Sequence, residues 1–167
     1  MAVVNTKSTV IGNGDALPAV ITTAQLGDGR MRQKRGVVAA VSGDSIASVY
    51  RFFRVKSNDI VAQLLLSCDA ITTCAADVGL YKTAAAGGAV VDADFFASAQ
   101  SLATALSNSD ITRESGVVTI ANMEKPIWEA LGLTADPQIE YDVAATLTAA
   151  AGSAGGIALI GTVVGRT

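Results

Sequence analysis

Alternation of apolar and polar residues constrains the fold of this chain more than any other feature. Between residues 59 and 81, and again between residues 139 and 147, apolar side chains recur at every second position. A period of two is that of a β-strand with one face turned inward. Further short segments rich in β-branched or aromatic residues lie at residues 36–41, 45–55, 116–120 and 157–164. The sequence therefore predicts a mainly β protein in which about seven or eight short antiparallel strands form a sandwich.

The two alternating runs within residues 59–81 are predicted to pair with each other as a hairpin. A turn in the middle of this segment would place Leu64 opposite Val78, and Cys68 opposite Cys74. The two cysteines have neither CxxC nor metal-site spacing, which is typical of small buried side chains. We therefore expect free thiols, with a disulfide across the hairpin as the alternative.

Two short helical inserts are predicted among the strands. Asp92 or Asp94 could cap a helix over residues 97–106, where apolar residues recur at helical spacing. A second helical segment begins near Pro126 and ends at Gly132, because proline suits the first turn of a helix and glycine its end. The rest of the chain is expected to be strand and loop.

A chain of 167 residues suits a single domain with a self-sufficient core. Residues 1–29 have no sustained period and contain glycine and proline, which indicates an extended amino-terminal arm. Residues 30–167 are predicted to form the β-sandwich domain. An arm without its own pattern gains order only when it lies on a partner.

The net charge of −3 conceals an uneven distribution. Residues 1–56 hold eight Lys or Arg against three Asp or Glu, whereas residues 57–167 hold four against twelve. The densest basic cluster is Arg30, Arg32, Lys34 and Arg35. Because this run is short and the remainder is acidic, we expect a protein partner of opposite charge and not a nucleic acid. The alternative is that the cluster only protects a solvated edge strand.

The chain has no histidine, which removes whole classes of catalysis. Neither a Ser-His-Asp nor a Cys-His arrangement can form, nor a metal site that requires histidine. Asp92 with Asp94, and Glu140 with Asp142, could form carboxylate pairs, but no EF-hand spacing or phosphate loop accompanies them. We therefore expect no enzymatic activity, no cofactor and no metal.

Residues 143–165 carry no charge and are long enough to span a bilayer as a helix. Their Ala, Gly, Ser and Thr content and their AAAGSAGG centre favour two strands instead, so no membrane partner is expected. With two cysteines and no signal-peptide pattern, the chain is expected to be made in a reducing cytosol.

Particular segments of the chain also carry a resemblance. They are VYRFFRVKSNDIVAQLLLSCDAITTCAADVGLY, GGAVVDADFFASAQSL and EKPIWEALGLTADPQIEYDVAATLT. These segments are similar to the head decoration, or cementing, proteins of tailed bacteriophages of the Bordetella-phage-like podovirus type. The similarity covers residues 43–166, and DVGLY and DADFFASA are its most particular parts. Such proteins have no catalytic motif, so the resemblance assigns no catalytic residue.

The resemblance implies a jelly-roll-like sandwich on the outer surface of the virion, where it bridges major capsid subunits. Other copies of the chain are also expected as partners, and the sequence is compatible with either a dimer or a trimer. Such a protein is synthesised in the cytoplasm of the bacterial host. The basic cluster is then the candidate capsid contact, since it would face an acidic shell. The alternative is a carbohydrate-binding or receptor-binding sandwich such as a head fibre, which would need a row of exposed aromatic residues.

Overall fold

The computed structural model describes residues 6–27, 29–114 and 117–165. The first five residues and Asp28 of the predicted arm lie outside the described residues, as do Gly116 of one predicted strand and the last two residues of the predicted sandwich domain. The elements in the described part are helices α1 (Thr9–Gly14), α2 (Ala24–Gly27) and α3 (Ile127–Ala130), and strands β1 (Met31–Ala40), β2 (Val49–Lys56), β3 (Ile60–Cys68), β4 (Ala75–Lys82), β5 (Val90–Ser101), β6 (Leu106–Asp110), β7 (Glu140–Ala149) and β8 (Gly155–Val164). Two 3₁₀ helices lie at Ala84–Ala86 and Ile120–Asn122.

The strands form two four-stranded sheets. The first sheet has the order β1-β8-β3-β6 and the second has the order β2-β7-β4-β5, and all pairs are antiparallel. Successive strands change sheet at every connection except the one between β4 and β5. This connectivity is that of a jelly roll. The predicted jelly-roll-like antiparallel sandwich is confirmed.

The core lies between the two sheets; alternate residues supply it on β3 and β8, and the consecutive residues Phe95 and Phe96 supply it on β5. Phe95 and Phe96 are fully buried and meet edge to face, with ring centroids 4.9 Å apart. Gly161 of β8 leaves room for the Phe53 ring, since a Cβ atom there would lie 2.5 Å from the ring. The large side chains with the least exposure are Leu64, Leu66, Ile71, Leu80, Leu102, Ile111, Ile127, Leu147, Ile157 and Leu159.

The predicted pairing of Leu64 with Val78 is wrong. Leu64 on β3 lies opposite Gly161 in the first sheet, and Val78 on β4 lies opposite Ala145 in the second. The two runs do bury the expected faces, but their connection crosses from one sheet to the other and buries Ile71 on the way. A period of two reports which face is buried and says nothing about which strand is adjacent.

Cys68 and Cys74 are both buried free thiols, as the sequence predicted. Burial raises the pKa of both groups, because the charged thiolate loses its hydration there. Removal from solvent and a raised pKa both disfavour the thiolate, so neither cysteine is chemically activated.

The predicted helix over residues 97–106 is also wrong. The strand β5 continues to Ser101, and β6 begins at Leu106. The pairing of β5 with β4 shifts register several times, and Ala99 has a positive φ of 49°. Leu102 follows the end of β5 and is buried because its backbone bonds to Ile71 and Cys74 in the connection between β3 and β4, so its place in an apparent helical period is coincidental.

The other local predictions had mixed outcomes. α3 follows Pro126 directly, and Gly132 adopts a positive φ of 75° just after its end, so the second helical insert is confirmed. Residues 117–120, the described part of a predicted strand, form a bend that enters a 3₁₀ helix instead. The uncharged residues 143–165 lie in β7, the turn that follows it, β8 and the single residue after β8. None of the helices in the described part of the chain has the length and hydrophobicity needed to cross a bilayer.

Candidate interaction surface

The predicted basic cluster lies at the edge of the first sheet. Arg32, Lys34 and Arg35 are on β1, which is the outermost strand because it pairs with β8 alone, and Arg30 is exposed immediately before it. Strand alternation separates the cluster into two sides. Arg32 and Lys34 point towards the β2 and β3 side of the sandwich, and Arg35 points away from it.

Arg32 is held within the protein. Its Nη2 atom lies 2.8 Å from Oδ1 of Asp59, a carboxylate with no exposed surface. The other oxygen of Asp59 accepts a hydrogen bond of 3.0 Å from the backbone N–H of Lys56. This ion pair therefore joins β1 to the turn between β2 and β3, and Arg32 neutralises a buried charge.

The remaining cations of β1 have weaker attachments. The Nζ atom of Lys34 donates to the backbone carbonyl of Arg54. Arg35 donates from Nε and Nη2 to Oε1 of Gln33 at 3.2 and 2.6 Å, and both side chains are exposed. A neutral amide leaves the charge of Arg35 uncompensated, so Arg30 and Arg35 are the members of the cluster best placed to meet an external carboxylate.

The end of the predicted arm packs against the sandwich. Gln25 in α2 donates from Nε2 to the backbone carbonyl of Asn58 at 2.7 Å. Gly29 sits so close to β8 that a Cβ atom there would lie 2.2 Å from Cγ1 of Val164. Trp128 in α3 is half-buried and lines a cavity of about 340 Å³ together with α2 residues. Contact between the arm and the domain therefore begins at α2.

The preceding segment, residues 7–22, folds on itself, and we refer to it as the apolar knob. Lys7 and Asp15 form an ion pair of 2.7 Å across α1. The backbone N–H of Val20 donates to the carbonyl of Asn13 at 3.0 Å, and the Asn13 side chain donates to Oγ1 of Thr22 at 3.3 Å. These bonds close a compact turn where the sequence indicated an extended chain.

The apolar knob presents its large apolar side chains outward. Leu17 is 99% exposed and Ile21 is 96% exposed, and Ile11 and Val20 are each more than half exposed. Residues 16–27 contain no charged side chain. Sequence reasoning missed these residues because they follow neither a strand nor a helix period; the signal was an uncharged run with large apolar side chains.

The candidate carboxylates Asp142 and Asp92 lie in different surroundings. Oδ2 of Asp142 accepts a hydrogen bond of 2.8 Å from Nη1 of Arg51, and Oδ1 accepts one of 3.0 Å from Nε of Arg54. Both carboxylate oxygens are therefore paired with guanidinium groups. Burial, followed by the hydrogen bond between Asp92 and Asp94, raises the pKa of Asp92, because each favours the protonated form of Asp92. In residues 6–27, 29–114 and 117–165, no group of three or more acidic or cysteine side chains is placed to hold a metal ion.

Each aromatic side chain is either buried or half-buried. The chain has four Phe, three Tyr and one Trp, and each lies in the described part. All three tyrosines, Phe95 and Phe96 are buried, whereas Phe52, Phe53 and Trp128 are half-buried. The row of exposed aromatic side chains that the carbohydrate-binding alternative would need is therefore not found among the described residues.

Comparisons with known proteins establish the fold. No protein-family model matches the chain, and no curated protein sequence matches it. A chain of the cyanophage Pam1 capsid asymmetric unit has a TM-score of 0.52 at 14% identity, and the match covers 91% of this chain and 97% of that one. A chain of the capsid of Ralstonia phage GP4 has a TM-score of 0.55 at 17% identity, with 83% and 86% covered. This chain therefore shares its jelly-roll-like fold with chains from two phage capsid structures.

Proposed function

We propose that this chain is a structural virion protein that binds the outside of a tailed-phage capsid and cements neighbouring major capsid subunits. The observation that carries the proposal is the fold likeness, which extends over 91% of this chain and 97% of a chain in a phage capsid. Matches of nearly full length on both sides mean that the whole molecule, and not one common motif, has a counterpart in a phage capsid. The decoration role itself follows from the resemblance of residues 49–81, 87–102 and 124–148 to cementing proteins.

The architecture supplies a means of bridging subunits. A sandwich with a continuous core offers a firm base, and the apolar knob and the side chains of Arg30 and Arg35 are exposed on its surface. Many copies on a symmetric shell make each modest contact effective through multivalency. Because the protein binds assembled shells and not loose subunits, it stabilises the assembled state by mass action.

The proposed partners are the major capsid protein and other copies of this chain, as a dimer or trimer. The proposed location is the outer virion surface after synthesis in the host cytoplasm, with no role for nucleic acid or membrane. The protein acts without catalysis: the chain has no histidine, and Asp142 is neutralised by two arginines. The withdrawn aromatic side chains argue against the carbohydrate-binding or receptor-binding alternative.

Quantitative mass spectrometry of purified virions tests the proposal. We expect the chain in a fixed ratio to the major capsid protein, and we expect shells stripped of it to disassemble at a lower temperature. Adding back the purified chain should restore both the ratio and the stability. Absence from virions, or a copy number that fits only the tail or a single vertex, would overturn the proposal, and binding on a sugar array would favour the alternative.

A further inference from the structure

The apolar knob, residues 7–22, combines exposed apolar side chains with internal order. Single exposed apolar residues are ordinary on protein surfaces. Here Leu17 and Ile21 are almost fully exposed within five residues of each other, and Ile11 and Val20 are exposed beside them in sequence. A concentration of this kind marks an interaction site more often than a random surface.

The knob has hydrogen bonds and an ion pair of its own. The Lys7–Asp15 ion pair and the two hydrogen bonds of Asn13 hold the segment in one shape. Binding by a preorganised segment loses less conformational entropy than binding by a disordered one. Exposure of the tip is therefore a property of a folded unit and not of an unstructured chain end.

The chemistry of the tip restricts the partner. Residues 16–27 carry no charge, and Lys7, the one cation in the sequence of the knob itself, is paired with Asp15. A phosphate-rich or anionic lipid surface would be recognised by unpaired lysine or arginine beside the apolar residues. An uncharged tip instead complements an apolar groove in a protein.

We infer that the apolar knob is the anchor of this protein, with Leu17 and Ile21 inserting into an apolar groove of the assembled capsid shell. This inference rests on the proposed function. It assigns most of the binding free energy to the knob and a smaller share to the basic residues of the cluster. Anchoring by apolar burial depends little on ionic strength, whereas a contact made by Arg30 and Arg35 weakens as salt screens it.

The test uses full-length protein and purified shells that lack it. The variant L17S/I21S removes the tip without changing charge, and I46S/I120S removes two other exposed isoleucines as a matched control. We expect L17S/I21S to bind shells about a hundredfold or more weakly at both low and high salt, because two large apolar side chains lose their burial. We expect I46S/I120S to bind like the wild type, and both variants to unfold at the wild-type temperature.

The outcomes separate the inference from the proposed function. If the wild type binds shells and L17S/I21S binds them equally well, the inference is overturned and the proposed function stands. Failure of the wild-type chain to bind shells would overturn both. Equal losses of binding in the two variants would also overturn the inference, since the effect would not be specific to Leu17 and Ile21. So would a change of oligomeric state in L17S/I21S alone, or binding of the wild type to neutral phosphatidylcholine vesicles that L17S/I21S loses, since each of these assigns the knob to something other than the shell.

Discussion

The sandwich and the apolar knob use similar side chains in opposite ways. Val78 and Leu80 of β4 are almost completely buried, whereas Leu17 and Ile21 of the knob are almost completely exposed. The sandwich closes its core with its own eight strands, so its stability needs no partner. The knob is held by polar bonds and leaves its apolar tip in water. The difference teaches that one part of the chain buries its apolar side chains within itself, whereas the other leaves them accessible to a partner.

The largest expected effect breaks the sandwich. Phe96→Ala removes a fully buried ring that meets Phe95 edge to face, and should cost about 3–5 kcal/mol of unfolding free energy. Leu17→Ala, its counterpart in the knob, should change stability by less than about 0.5 kcal/mol. Urea unfolding followed by circular dichroism measures both. A loss above about 1 kcal/mol for Leu17→Ala would mean that the knob supports the domain after all.

The next effect separates two arginines of the basic cluster. Arg32→Ala leaves the buried Asp59 carboxylate with a single donor and should destabilise the protein by about 1–3 kcal/mol. Arg35→Ala, where the partner is an exposed amide, should change stability by less than about 0.5 kcal/mol. The same unfolding assay compares them. Equal effects would show that the Asp59 pair contributes no more than a surface contact.

This difference also decides how the capsid contact is tested. Reversal of Arg32 to glutamate would place a second carboxylate beside Asp59 and confuse folding with binding. Arg35→Glu alone should weaken binding to shells at low salt and have little effect at high salt. Unchanged binding at low salt would assign Arg35 to a solvated edge strand.

A smaller effect concerns the junction between the arm and the domain. Trp128 is half-buried where α3 faces α2, so Trp128→Ala should cost about 2 kcal/mol, below the range for a fully buried tryptophan. Thermal unfolding gives the value. A loss within about 0.5 kcal/mol would show that the indole adds nothing to the junction.

A still smaller effect depends on pH. Burial and Asp94 raise the pKa of Asp92 above its ordinary value in the folded protein. The ionised form is therefore disfavoured by folding, and stability falls as the pH rises through the ordinary range towards the raised value. Asp92→Asn should raise the Tm slightly at pH 7. Near pH ~3 it should leave the Tm unchanged, because the side chain at position 92 is then uncharged in both the wild type and the variant. If Asp92→Asn has a lower Tm than the wild type at pH 7, this prediction is contradicted.

The smallest effect is expected for removal of the knob. Deletion of residues 1–22 leaves α2 and its hydrogen bond to Asn58 in place, so the Tm of the domain should stay at the wild-type value. Deletion of residues 1–29 also removes α2 and Gly29, and should lower the Tm although the core remains. Equal Tm values for the two deletions would place the boundary of the domain at residue 30, as the sequence suggested.

The sequence by itself determined which side of each strand is buried. Leu64, Leu66, Val78 and Leu80 were all placed inward by the alternation, and all are buried. It also determined where α3 lies, through Pro126 and Gly132. These features follow from the geometry of a single segment, because a strand turns successive side chains to opposite faces and proline and glycine act on their own backbone.

Only the tertiary structure decided which segments are neighbours. The pairing of β3 with β8 joins residues nearly a hundred positions apart, and no local pattern encodes that choice over the hairpin that was expected. The same holds for Arg32, whose buried partner Asp59 lies on another connection, and for the knob, whose exposed tip is defined by what the rest of the chain leaves uncovered. Strand faces are set by backbone geometry within a few residues, whereas partners are set by the packing of the whole chain.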